Sequence, residues 1–333
     1  MITIIDVAEK AGVSVTTVSR VINNSPSVSR EKREKVLKVI QELNYQPLRK
    51  STRGSDANLI VVITGFVLDD YFSPLKKAAS EAGYQIVFYY LSEKDTDADL
   101  KTFISQINPS ALSGFILSGF QRNSSYLKEL ASSYPVVALQ EAGMQFSPLY
   151  ISAQDDYQMS SLLTQHMIDI GKKRIVLIVA ASNKNNFYYT GERKKIHGFW
   201  DTLEVNEISV DDNSVLFSDI SFENGYLIAE NFLENSVMPD AIICTMSTTC
   251  MGLMSAFQNN GMGIPGDIAL ATFTNDEYLD FVTPGITSVL QGTEEICGTA
   301  IDIINEANQG KYPNGYKYLS TPELIIRGST VRK

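Results

Sequence analysis

The chain has 333 residues, 44% hydrophobic and 20% charged, enough apolar material for two or three buried cores and too much for a disordered protein. Cys244, Cys250 and Cys297 form no CxxC pair, which argues for a reducing cytoplasmic setting and against a disulfide framework, and His166 and His197 are too few for a His-rich metal centre. The net charge of −10 is uneven, because residues 1–53 carry ten Lys/Arg against five Asp/Glu and the remainder is strongly acidic. A small basic head on an acidic body suggests that the head meets a polyanion, with double-stranded DNA the first candidate. The run Leu59–Leu68 is interrupted by Thr64 and Gly65 and is too short to span a bilayer, and no apolar leader follows the first residues, so no membrane partner and no export are expected.

In the head, Thr3 to Asp6 has the residues of a helix start, and Ile4, Val7, Ala8 and Ala11 share one helical face. Gly12 supplies the positive φ that ends the helix, and Ser14 is placed to cap a second one over Val15–Asn23. At 100° per residue Val15, Val18, Val21 and Ile22 take the inner side of that helix. Thr16, Thr17, Ser19, Arg20 and Asn23 take the outer side. A third helix is predicted from Arg30 to about Asn44, with Val36, Val39, Ile40 and Leu43 as its buried stripe. Ala8, Gly12 and Val18 have the spacing of two crossed helices, the helix-turn-helix that lays its second helix in a major groove. The alternative is a three-helix bundle that binds protein, which a short, polar, basic exposed face disfavours.

The segment from Ile4 to Asn23, IIDVAEKAGVSVTTVSRVIN, together with Glu42-Leu-Asn-Tyr-Gln-Pro47, resembles the start of a LacI/GalR-family transcription regulator. The resemblance implies that Val15, Thr16 and Arg20 read bases and that Ser14, Thr17, Ser19 and Asn23 hold phosphates. In that family the next stretch contains a hinge helix whose leucine wedges into the minor groove. Here residues 47–58 read PLRKSTRGSDAN, with Gly54 disfavouring a helix and no leucine at the expected place. Arg49, Lys50 and Arg53 remain to hold phosphates or enter a narrow minor groove. The expected organisation is a head at 1–46, an atypical linker at 47–58 and a body at 59–333.

The body alternates apolar runs with helical periods, predicting strands at 59–64, 85–91, 114–117, 136–139, 175–179, 240–244 and 268–273. Helices are predicted at 72–82, 97–107, 157–170, 222–234, 248–259 and 294–308. Continuous apolar strands separated by helices indicate parallel sheets covered on both faces, here two doubly wound α/β lobes. Gly171-Lys-Lys-Arg-Ile175, Pro239-Asp-Ala-Ile242 and Thr283-Pro-Gly-Ile-Thr-Ser-Val289 are similar to landmarks of the same family. The resemblance implies a periplasmic-binding-protein-like effector domain acting as a homodimer, with the chain crossing between lobes near Ile151, Leu290 and Pro322. One lobe would then comprise about 59–150 and 291–321, the other about 151–290 and 322–333.

Sugar-binding relatives present an Arg before a Gly-Phe, an Asp in a Gly-Phe-Asp-Asn turn and another Asp after the Pro-Asp-Ala-Ile strand. By resemblance these positions are Lys195, Thr274 and Ser247, and an Asp–Asn pair near residue 154 reads Gln154-Asp155. Tyr71 and Phe72 stand where the family has an aromatic pair at the pocket. With the acids gone and an ammonium in place of a guanidinium, a neutral sugar held in the usual way is disfavoured, and the locally basic stretch Glu192-Arg-Lys-Lys195 beside the expected cleft makes an anionic ligand such as a sugar phosphate more plausible. No cofactor motif, phosphate loop, nucleophile elbow or zinc-protease motif occurs, so an enzyme or solute binder with an appended head is the weaker reading. Another alternative keeps the DNA-binding role and makes the ligand a corepressor.

Overall fold

The computed structural model describes residues 10–13, 17–18, 21, 30–42, 58–65, 69–92, 94–119, 124–140, 149–183, 186–187, 191–235, 238–307 and 311–331. In the head, Lys10 and Ala11 are helical and Gly12 follows at a φ of +65°. That left-handed value is strained for any residue with a β-carbon. Helix α1 spans Arg30–Glu42. Ala11, Val18, Val21, Val36 and Val39 are buried, the residues whose spacing marked the inner faces.

Among the described residues the body holds two sheets. The first contains β1 (Leu59–Thr64), β2 (Gln85–Tyr90), β3 (Leu112–Ser118), β4 (Val136–Ala138), β5 (Tyr150–Gln154) and, from much later in the chain, β12 (Lys317–Ser320). The second contains β6 (Ile175–Asn183), β7 (Asn186–Phe187), β8 (Val215–Ser218), β9 (Ala241–Cys244), β10 (Ala269–Thr272), β11 (Thr287–Leu290) and β13 (Glu323–Ile325). All pairs in the first sheet are parallel, and in the second only β7 and β13 run antiparallel to their neighbours. The strands run β2-β1-β3-β4-β5 in one sheet, and β8-β6-β9-β10-β11 repeats that order in the other. No repeat is visible in the sequence, because the likeness lies in connectivity and not in residues. In such a sheet the chain reverses its order between the first and third strands, and that switch point opens a crevice beyond the carboxyl ends.

Helices cover both faces of each sheet. On the first, α2 (Asp69–Glu81) and α9 (Thr293–Ala307) bury Leu75, Ala79, Ile296 and Ile304 against Ile60 and Val62. On its other face α3 (Asp97–Ser105) and α4 (Ser125–Ala131) cover Val61 and Ile63 with Leu100, Ile104, Leu127 and Leu130. The second sheet lies between α5 (Asp156–Asp169) with α6 (Glu192–Val205) and α7 (Phe222–Glu234) with α8 (Ser247–Asn259). Caps set several starts: the side chains of Ser124, Asp155 and Ser221 accept the amides of Leu127, Gln158 and Asn224 at 3.0, 3.1 and 3.0 Å. Where α7 crosses α8, a β-carbon on Gly225 would stand 2.1 Å from the Thr249 carbonyl, and one on Gly252 2.0 Å from that of Phe222. The two backbones therefore touch.

Helices α4 and α6 and the short strands β5, β7, β8, β11, β12 and β13 go beyond the predicted elements. β5 pairs with β12 from Ile151↔Lys317 to Gln154↔Ser320, so the first sheet extends to Gln154 and the chain leaves it at Asp155, not at Ile151. The other passages between the sheets fall between Leu290 and Thr293 and between Ser320 and Glu323. Among the described residues no helix is long and apolar enough to cross a membrane.

Candidate ligand cleft and nucleic-acid interface

The carboxyl ends of β6, β9 and β10 carry the polar groups of the second lobe. Lys195, on α6, is 5% exposed, and its ammonium lies 3.0 Å from Glu192 Oε1, 3.4 Å from Asp156 Oδ1 and 5.2 Å from the centre of the Phe273 ring. Burial alone would lower its pKa. The two carboxylates overcome that and hold the ammonium above the ordinary lysine range. Glu192, fully buried, accepts at Oε2 from the Ala180 amide at 3.3 Å and from the Thr245 hydroxyl at 2.8 Å. Asp156 Oδ1 accepts from Gln154 Nε2 at 2.8 Å, across the point where the chain passes between the sheets. Asp156, Glu192 and Lys195 thus form a buried triad with one carboxylate in excess.

A second group lies at the start of α8. The Ser247 amide donates to Thr274 Oγ1 at 3.0 Å, so Thr274 serves an orphan donor that residue 246, a methionine, is unable to cap. Ser247 Oγ hydrogen-bonds the Asp276 carboxylate, and Tyr278 OH lies 2.6 Å from the same hydroxyl. The loop bearing these residues is held from behind by Arg327. Its Nη2 donates to Asn275 Oδ1 at 3.0 Å, Nη1 to Ser288 Oγ at 2.6 Å and the Ile286 carbonyl at 2.8 Å, and Nε to Asp280 at 2.5 Å.

The structure joins two of the expected ligand residues, Ser247 and Thr274, by a direct hydrogen bond, and sets Lys195 against Phe273, next to Thr274. Lys195 is not a free cation: two carboxylates and an aromatic face surround its ammonium. The stretch Glu192-Arg-Lys-Lys195 is divided, with Glu192 and Lys195 inside and Arg193 exposed, so the expectation of a locally basic cleft wall at Lys195 is corrected to a buried, net acidic cluster. On the first lobe, Tyr71 is buried in the core beside α9, while Phe72 is 48% exposed and stacks on Phe88 with ring centres 4.8 Å apart. Asp156, Glu192, Thr245, Asp276, Tyr278 and Arg327 were not singled out by sequence. The one available signal was Asp156, one residue beyond the Gln154-Asp155 pair.

In the head, Thr17 is helical and half-buried. Ser14, Val15, Thr16, Ser19, Arg20, Asn23, Arg49, Lys50 and Arg53 lie outside the described residues.

Residues 3–47 match the model of the bacterial regulatory proteins of the lacI family, and residues 164–330 match the periplasmic binding protein-like domain. The chain belongs to the lacI family. The likeness to its relatives runs end to end. The HTH-type transcriptional regulator DegA of Bacillus subtilis is 28% identical over 335 residues, covering 98% of each chain. The HTH-type transcriptional repressor PurR of Haemophilus influenzae is 28% identical over 341 residues, covering 99% of this chain and 98% of its own. Among solved structures, the lac repressor dimer bound to operator and an anti-inducer superposes with a TM-score of 0.70 at 24% identity, covering 99% of both chains. A CelR–cellobiose complex does so at 0.68 and 20% identity, covering 99% of this chain and 100% of its own. This lacI-family chain is accordingly a transcriptional regulator with a helix-turn-helix head and a two-lobed ligand-binding body.

Proposed function

We propose that the chain is a cytoplasmic homodimeric repressor that binds a pseudo-palindromic operator and is switched by a small polar molecule of the sugar or sugar-phosphate class. The observation that carries this reading is the union, in one chain, of a basic helix–Gly12–helix head with two lobes whose repeated strand order sets a crevice at the ends of β6, β9 and β10. In the head, Val15, Thr16 and Arg20 read the major groove. Ser14, Thr17, Ser19, Asn23, Arg49, Lys50 and Arg53 hold the backbone, which takes most hydrogen bonds in protein–DNA complexes. In the body, Phe72, Ser247 and Thr274 border the effector, Tyr71 backs Phe72 from the core, and Lys195 acts from beneath by fixing Glu192 and Asp156.

The ligand acts only by preferring one arrangement of the lobes, and the three passages between the sheets transmit that preference. Asp156 stands at one of them and is bonded to Gln154 across it. Selection of binding sites from random duplex DNA by the full-length protein tests the reading. An enriched palindrome is expected, and no enrichment without added ligand means either that a corepressor must be supplied or that the head does not read sequence, and removes the inducer-released repressor in both cases. Arg20→Ala should abolish the site preference while weakening nonspecific binding only modestly. An equal loss on all sequences makes Arg20 a phosphate contact instead.

A further inference from the structure

An α/β lobe offers an anionic ligand two places: the switch point between its first and third strands, and the amides at the start of a following helix. In the second lobe a carboxylate of the protein holds the first, and another stands beside the second, whose leading amide, that of Ser247, is taken by Thr274 Oγ1. Glu192 lies at the switch point between β6 and β9, accepting from the Ala180 amide and the Thr245 hydroxyl. Asp276 lies at the start of α8, bonded to the hydroxyl of its first residue, Ser247. Lys195, the buried cation of the cleft, is bound by Glu192 and Asp156.

We propose that Asp276 is a resident anion at the amino end of α8 and the specificity-determining residue of the cleft, admitting effectors that donate through O–H or N–H groups and excluding those that present a phosphate or carboxylate. This rests on the reading of the crevice as the effector site, and within it decides for a sugar over a sugar phosphate. Asp276 stands beside this helix start through the Ser247 hydroxyl and not through a helix amide. Its Oδ2 accepts from Ser247, its Oδ1 has no partner among the described residues, and the side chain is half-exposed, so one oxygen remains to take a donor from a ligand. Tyr278, on the same serine hydroxyl, flanks it. Thr274, at the position where sugar-binding relatives carry their aspartate, is occupied by the Ser247 amide. The carboxylate has thus moved two residues along the loop.

The test uses inorganic phosphate as the probe on the full-length protein. Tm is measured in sodium phosphate and in sodium chloride of equal ionic strength for the wild type, Asp276→Asn and Glu277→Gln. Asparagine keeps an acceptor for Ser247 while removing the charge, and the Tm of each variant in chloride reports that it is folded. Glu277 is exposed and adjacent, so its variant controls for local charge alone. The expected result is an extra rise of about 2 °C in phosphate for Asp276→Asn only, with the wild type and Glu277→Gln showing no more than the common salting effect. Equal responses in all three, or none in Asp276→Asn, overturn the proposal. Operator affinity of Asp276→Asn with and without phosphate separates the two readings. An unchanged affinity beside a raised Tm leaves the resident anion standing and removes the crevice as the effector site.

Discussion

Glu192 and Lys195 stand three residues apart on α6 and meet at 3.0 Å inside the protein, with the carboxylate fully buried. Their pairing converts a helix start that reads as solvated into part of the cleft floor. Removing one member of such a pair leaves an uncompensated charge in a low dielectric, which costs roughly 3–5 kcal/mol. Lys195→Met should lose about that much in urea unfolding, because Asp156 and Glu192 then face each other without a cation. Adding Glu192→Gln should restore part of the loss. A loss below about 1 kcal/mol for the single variant contradicts the burial described.

The contact between α7 and α8 allows no side chain at Gly225 or Gly252. Alanine at either position places its β-carbon against a backbone carbonyl that is unable to move without shifting a helix. Overpacking of this kind costs about 1–3 kcal/mol, occasionally more. Gly252→Ala should lower the unfolding midpoint accordingly, whereas Gly171→Ala, where a β-carbon meets nothing within 4 Å, should show only the strain of its positive φ. Equal midpoints for wild type and Gly252→Ala show that the helices have room to separate.

His166 hydrogen-bonds Thr330 at 2.9 Å, and Thr330 in turn lies 2.7 Å from Thr287 Oγ1, tying α5 to the segment after β13. Burial lowers the imidazole pKa below its ordinary value, and Asp169 opposes this in part. The unfolded chain therefore takes up its proton at higher pH than the folded one does. The stability contributed by neutral His166 is full above about pH 6.5 and is lost as pH falls toward the folded pKa. Tm measured from pH 7.5 down to 5.5 should fall for the wild type and fall less for His166→Gln. Parallel profiles assign the slope to other groups.

All three thiols are buried. Burial pushes Cys297 up to about 12, with Glu294 adding to it, and raises Cys244 well above the ordinary range, with Cys250 adding to it. The thiolate is the reactive form, so a thiol-specific reagent at pH 8 should modify the native protein only at the rate of opening, and all three positions at once in denaturant. Fast labelling of one site in the native protein identifies a local opening there.

The head and the layer order were legible in the sequence because they rest on local signals: Gly12 between two periods, and apolar runs alternating with amphipathic ones. Ala11, Val18, Val21, Val36 and Val39 are inside as their spacing requires. The cleft was not legible in the same way. Lys195 reads as one of a run of surface cations, and only Asp156, thirty-nine residues earlier, together with the neighbouring Glu192, turns it inward. Asp276 was hidden for a related reason. The family pattern directs attention to Thr274, and the bond that makes Asp276 matter comes from Ser247, twenty-nine residues before it. Short strands such as β12 and β13, with half-exposed faces, lack the apolar run that revealed the central ones.

The placing of α9 and β12 in the first lobe has a consequence for synthesis. A chain emerging from the ribosome makes β1 through β5 early, yet the face formed by Ile60, Val62 and Ile116, which Leu75 and Ala79 of α2 share, is completed only by Ile296, Ile303 and Ile304 of α9. The flank of β5 stays unpaired until Lys317–Ser320 have been made. Throughout translation of the second lobe, the half-built first lobe carries an apolar face and an open sheet edge, the features that draw unfinished chains into aggregates. The lobes therefore complete together, late, and any nascent-chain chaperone that attends this protein has its work on the earliest-made strands.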